Sequence, residues 1–346
     1  EHLYEYLPPH EGEFSSAWHP NAYWRPDTLS FHLVNTIRKF HKPYDPAGYT
    51  ERMIARARAW GFNSAGAFGA GDDAVRRRAN FPYAASLPLS VWQGFEEIPG
   101  AVGVFDPFSD KLRAHCEKVF AQTLPPRADD PLIIGYFLGN EPLWENIPRA
   151  VAALDASHPA KRRLAAMLQE KYKTPDAFNR AWGAAMGSFD EVAARGLAVK
   201  TPAAREDMRT YSELFLDAYF RLVVQTFRKH DKNHLLIGNR FQPGTINDEI
   251  TCRLSGKYMD VISFNYYTHG FDAALLGRVR GWTGDRPMLF SEFYFSSPRD
   301  SGLIGGAKEV SSQLERGLAY RHYVEQAAAL GYVVGIEWFT LVDQAV

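Results

Sequence analysis

Apolar residues along this chain fall into short continuous runs separated by longer amphipathic stretches. Runs near 31–37, 62–67, 87–91, 132–138, 234–240, 259–266, 287–293 and 333–340 have the length of strands. Near-continuous apolarity is what a parallel strand covered on both faces requires. Between the runs, helical spacing predicts helices at about 48–60, 72–79, 107–122, 204–229, 246–255, 271–282 and 310–330. Gly61 is placed as the stop of the first of these. Strands alternating with helices predict a parallel sheet. Eight such units in 346 residues point to an α/β fold of the (β/α)8 TIM barrel type. A doubly wound open sheet is the alternative, weakened because no strand is followed by a GxGxxG phosphate loop.

Three stretches depart from this alternation. Residues 1–28 are rich in proline, aromatic and polar residues without a period, and predict an N-terminal arm on a 29–346 barrel. Residues 143–205 are too long for a connection and hold the helical segments KRRLAAMLQEKYKT and PDAFNRAWG, so they predict a helical insertion after the fourth strand. No helix follows the eighth strand before Val346, so the pattern predicts a barrel that stops short at its C-terminal end.

The fourth run, PLIIGYFLGNEP at 131–142, carries the chemistry. Its apolar strand ends abruptly in Asn140 and Glu141, at the end of a parallel strand where ligands bind in such folds. Reading the other predicted strand ends in the same way collects Asn35, Arg38, Asn63, Trp92, Arg240, Asn265, Tyr267, Glu292 and Trp338. The sharpest of these is Glu292 in LFSEFYF, because a carboxylate among Phe, Leu and Tyr is costly to bury without a partner or a task. Its bland explanation is a structural ion pair with a cation such as Arg240.

Two carboxylates facing one pocket suit glycoside hydrolysis, with one protonated as acid and the other ionised to attack or to activate water. Metal binding is a weaker use: no histidine stands at these strand ends, His269 lies in a loop, and no metal or other cofactor is expected. Glu337 is a rival carboxylate, but it neighbours Trp338, and strand alternation gives the barrel interior to only one of them. The reading assigns it to Trp338.

Composition narrows the partners. A formal net charge of −1 argues against nucleic acid, which needs a basic excess. No apolar run reaches the ~20 residues needed to cross a bilayer, so no membrane partner is expected. Cys116 and Cys252 are too few for a disulfide framework. The chain opens at Glu1 without a visible signal peptide, leaving the compartment and the oligomeric state open. Aromatics reach 14%, mostly as core, with Trp92, Trp144, Trp282 and Trp338 as candidates for stacking on sugars.

Asn-Glu ending the fourth strand, Asn-x-Tyr the sixth, Glu the seventh and Trp the eighth is a pattern that resembles clan A retaining glycoside hydrolases. That resemblance spans about 30–344 and implies a (β/α)8 barrel with Glu141 as acid/base and Glu292 as nucleophile. It implies that Asn140 bonds the sugar 2-hydroxyl, Tyr267 holds the nucleophile and Trp338 floors the sugar site. Within the clan, GYFLGNEPLW, GFNSAGAF and EWFTLVDQ look most like the β-agarases of family fifty. KYKTPDAFNRAWG resembles a segment of family forty-two β-galactosidases. The Asn-Glu-Pro sequence and the missing accessory sandwich domain depart from the agarase pattern. The activity so implied is hydrolysis of a galactose-containing saccharide, outside the cell or in the periplasm. Another β-linked glycan, or a non-catalytic carbohydrate-binding barrel, are the alternatives.

Overall fold

The structure is a computed structural model and describes residues 6–21, 25–69, 71–302 and 305–341. The tips of two stretches used above, the arm and EWFTLVDQ, lie partly outside the described residues, at 1–5, 22–24 and 342–346. The chain divides into two compact units, Glu1–Ala65 with Gly69–Pro82, and Gly66–Phe68 with Tyr83–Val346.

In the first unit the arm is not without order. It holds an antiparallel pair, β1 (Trp18–Asn21) and β2 (Arg25–Leu29). The run at 31–37 is not a strand but part of the helix Phe31–Phe40. Ser30 caps it by accepting from the Leu33 amide at 3.3 Å, and Val34 and Ile37, three apart, bury one helical face against Phe14 and Ala17. The run at 62–67 forms no strand; only Ala65 is bridged.

The second unit carries the parallel sheets β3 (Tyr83–Ser86), β4 (Ile133–Phe137), β5 (Leu235–Leu236), β6 (Ile262–Asn265), β7 (Met288–Phe293) and β8 (Val333–Trp338). Their order is β3-β4-β5 and β6-β7-β8, and the parallel bridge Phe241↔Phe264 joins the two sets. The strand expected at 87–91 begins four residues earlier. Pro88 has no amide hydrogen to give a ladder, so regular pairing ends once the Leu87 amide has reached the Phe137 carbonyl at 2.8 Å. Gly135 lets β4 approach β5, since a Cβ there would sit 2.6 Å from the Leu235 carbonyl oxygen. Ala84, Phe137, Ile237 and Val261 pack together as one inner core.

The stretch 143–205 is helical, with Ile147–Ala153, Pro159–Tyr172, Pro175–Trp182 and Phe189–Ala194. The long helix Pro202–His230 follows it. Thr201 caps that helix by accepting from the Ala204 amide at 3.0 Å, Pro202 takes the first turn, and Arg228, Lys229 and His230 face its negative end. Asp207 of this helix, 1% exposed, accepts from Lys171, from the Tyr172 hydroxyl at 2.7 Å and from the Trp182 indole N–H at 2.8 Å. KYKTPDAFNRAWG is therefore tied down through its Lys, Tyr and Trp by one buried carboxylate.

Candidate active site

The carboxyl ends of β4 to β8 converge on a polar cluster, all within the second unit. Its centre is Arg240, 2% exposed, just past β5. Each guanidinium nitrogen has its own acceptor: Nε donates to Asn140 Oδ1 at 2.8 Å, Nη2 to Glu292 Oε1, and Nη1 to Glu337 Oε2 at 3.2 Å. The planar fork lies 4.9 Å from the ring centres of both Phe68 and Phe137, so its faces are covered by aromatics while its edges meet oxygen.

Glu292, at 6% exposed, has both oxygens occupied, since Tyr267 donates its hydroxyl to Oε2 at 2.5 Å. Burial, then that hydrogen bond, push the Tyr267 phenol far above its ordinary value, so it remains a donor at any working pH. Asn265 supports Glu141. It stands in register with Glu292 on the neighbouring strand and donates to Glu141 Oε1 at 2.8 Å. Its own Oδ1 accepts from the Ser291 hydroxyl at 2.9 Å, which fixes the amide's orientation. Gln242 donates to the second Glu141 oxygen at 3.1 Å.

Glu141 and Arg240 both adopt left-handed backbone, at φ 48° and 51°. Such non-glycine positions cost free energy and cluster where function requires a particular side-chain aim.

Of the residues selected from sequence, Asn140, Glu141, Arg240, Asn265, Tyr267 and Glu292 are brought together. Asn35 is exposed on the helix Phe31–Phe40 rather than at a strand end, as is Arg38. Asn63 is exposed in a segment without strand pairing, where it accepts from Ser64 at 3.3 Å. Trp92 lies on the 3-10 turn Val91–Gln93 and is 66% exposed. Trp144 is core, 4% exposed and packed on Tyr219 and Phe220.

At the end of β8 it is Glu337, not the expected Trp338, that points at Arg240. Trp338 packs edge-on against Phe293 and Tyr320, with Arg316 over its ring. Alternation holds in that only one of the two turns to the cluster, and the Trp338 ring is taken up by Phe293, its register partner on β7, and Tyr320, which leaves Glu337 to Arg240. Glu337 is also in a demanding position. Burial, only partly offset by Arg240 and by the Ala67 amide, raises its carboxyl to about 7. Gln242 and Ser291 had no distinguishing signal in the sequence.

Among the described residues no group of three or more His, Cys, Asp or Glu is placed to hold a metal. No helix among them is long and apolar enough to cross a membrane. Cys116 and Cys252 are buried free thiols, both raised to about 12 chiefly by burial.

Comparison with known proteins bears on this arrangement. Beta-agarase B of Vibrio sp. (strain JT0107) is 26% identical over 362 residues, covering 96% of this chain and 36% of that protein. A crystal structure of an agarase superposes with TM-score 0.80 at 24% identity, covering 99% of this chain and 51% of its own. An exo-beta-agarase gives TM-score 0.83 at 23% identity, covering 99% and 49%. At these identities the structural likeness is one of fold, and the chain spans about half the length of those solved agarases and about a third of the Vibrio enzyme. A family model described as beta-galactosidase matches residues 93–281, more than half of the chain, taking in Asn140, Glu141, Arg240, Asn265 and Tyr267 but not Glu292. On that match the chain belongs to glycoside hydrolase family 42.

Proposed function

We propose that this chain is the catalytic region of a retaining β-glycoside hydrolase acting on a galactose-containing oligo- or polysaccharide, with β-agarase-like cleavage as the leading case. The observation that carries the reading is Asn265, which donates to Glu141 while standing in register with Glu292. Glu141, from the end of β4, thus rests on an amide that stands beside Glu292, and only Glu292 is paired with a buried cation. The parallel series β3 to β8 is then the larger part of a (β/α)8 wall, with the site at its carboxyl rim.

The two environments support different roles. Glu292, paired with Arg240 and accepting from Tyr267, attacks the anomeric carbon. Glu141, bonded to neutral amides, gives its proton to the departing glycosidic oxygen as the C–O bond breaks. In the second half, Glu141 takes a proton from water, whose oxygen attacks the anomeric carbon and releases Glu292 as carboxylate. Asn140, whose Oδ1 accepts from Arg240, would meet a sugar hydroxyl in this reading. Double displacement requires the carboxyls to lie about 5–5.5 Å apart in the substrate-bound centre, against about 6.5–9.5 Å for inversion.

Azide distinguishes the roles on nitrophenyl β-galactosides and on agar oligosaccharides. Glu292→Ala is expected to lose nearly all turnover and, with azide, to yield the α-glycosyl azide. Glu141→Ala is expected to keep turnover of nitrophenyl substrates, whose leaving group needs no proton, and to yield the β-azide. Reversed product stereochemistry swaps the roles. Single inversion of an unactivated substrate by the parent protein excludes retention.

A further inference from the structure

A buried guanidinium stays protonated in proteins, so it needs an anion beside it at every stage of a reaction. In the resting site Arg240 has two, Glu292 and Glu337. If Glu292 forms a bond to the anomeric carbon, its carboxylate becomes a neutral ester and that pairing is lost. Glu337 is already in place, 3.2 Å from Nη1. The backbone makes room for it: a Cβ on Gly66 would sit 2.6 Å from Glu337 Oε2. We infer that Glu337 is a positioning residue that divides Arg240 with Glu292 in the resting site and takes that cation over when Glu292 is esterified. The inference rests on the nucleophile reading above.

The charged surroundings of Glu337 are few. Arg240 comes from the end of β5 and Glu292 from β7. The Gly66–Phe68 segment offers backbone only, and the helix Gln313–Ala329 brings Arg316 against Trp338, the next residue along. Burial raises the Glu337 carboxyl to about 7, and the charge of Glu292 adds to that rise. Removing the Glu292 charge by esterification therefore favours ionised Glu337. The sign for the rate follows: glycosylation should speed up as pH rises through about 7, when Glu337 becomes able to receive Arg240.

The test compares wild type with Glu337→Gln, which preserves size and an oxygen for Arg240 but has no charge. For an aryl β-galactoside, kcat/KM of wild type is expected to rise through an inflection near pH 7 that the variant lacks. The variant should match wild type well below that pH and fall behind by on the order of tenfold well above it. A merely structural role would lower kcat/KM by one factor at every pH, and that outcome, or an unchanged profile, overturns the inference. A measurement on wild type keeps the question decidable if the variant does not fold. Carbon NMR of protein labelled at the glutamate carboxyls should show a group titrating near neutral pH, and its midpoint should drop when a 2-fluoro-galactosyl fluoride esterifies Glu292. Glu337→Asp assigns the signal. Labelling of Glu292, seen by mass spectrometry, without a drop sinks the inference alone. Absence of labelling at Glu292 sinks the nucleophile reading and the inference with it.

Discussion

Replacing Asp207 tests how the helical segment at 159–182 is held, independently of the chemistry. In Asp207→Ala the Tyr172 hydroxyl and the Trp182 indole N–H, which both bond Oδ2 at 2.7 and 2.8 Å, are left without an acceptor. Trp182 is 3% exposed, so water does not readily replace the lost partner. Each orphaned donor costs about 1–3 kcal/mol, and removing one side of a buried charged contact belongs in the range of about 3–5 kcal/mol. Lys171 adds little because its side chain is half exposed and can turn to solvent. Asp207→Asn behaves differently, because its remaining oxygen can occupy the Oδ2 position and keep both bonds. Its amide group would face the Lys171 ammonium, donor against donor, at a cost of about 1 kcal/mol once the lysine swings out. Urea denaturation followed by tryptophan fluorescence is the assay, with the midpoint shift read at constant slope. A loss below about 1 kcal/mol for the alanine variant, or equal losses for both, would refute the shared-oxygen account.

Two further outcomes follow from particular contacts. Tyr267→Phe removes a 2.5 Å charge-assisted bond to Glu292 without changing shape, and kcat/KM should fall by roughly 10- to 100-fold with the melting temperature nearly unchanged; a loss under threefold would remove Tyr267 from the support of the nucleophile. Lys161, fully buried and bonded to the carbonyls of Ala152 and Arg195, is lowered to about 8 by burial. The unfolded chain therefore binds the extra proton between about pH 8 and the ordinary lysine range, so wild-type stability should rise with pH across that window and the rise should vanish in Lys161→Met.

The polar strand ends were legible because charge stands out against apolar runs. Asn140 and Glu141 end one apolar run and Glu292 stands inside another, where a polar residue is conspicuous. Residues 31–37 misled for the opposite reason. Their apolar positions fit a strand by content, but Val34 and Ile37 are spaced for a helix, and Ser30 supplies the cap. Pro88 was a readable stop, and giving it weight would have moved the third strand back to Tyr83–Ser86. The facing of Glu337 was not readable, because alternation leaves the choice between it and Trp338 open and the packing of Trp338 on Phe293 and Tyr320 decides it. Gln242 and Ser291 act through contacts across strands, which a linear pattern does not contain.

The shortness of β5 and the construction of the site are one feature. The sequence predicted strand over 234–240, yet regular pairing covers only Leu235–Leu236. Irregular bonds to the β4 segment continue, with the Ile237 amide on the Tyr136 carbonyl at 2.9 Å and the Leu138 amide on the Gly238 carbonyl at 2.8 Å, while Gly238 at φ 87° and Arg240 at φ 51° bend the backbone. The amide that Arg240 thereby withdraws is satisfied by the Ser263 hydroxyl at 3.0 Å, and regular contact with β6 resumes when the Phe241 amide reaches the Ser263 carbonyl at 3.1 Å. A straight strand would alternate its side chains and leave one guanidinium on a single neighbour. The kink instead aims Arg240 across the strand ends, where it meets Asn140 from β4's end, Glu292 from β7 and Glu337 from β8. Two local rules are broken at that residue, left-handed backbone on a non-glycine and a fully buried cation. Both are tolerated because Phe68 and Phe137 cover the guanidinium faces and two carboxylates neutralise it. The irregular backbone at Gly238 and Arg240 is therefore a condition of the carboxylate arrangement.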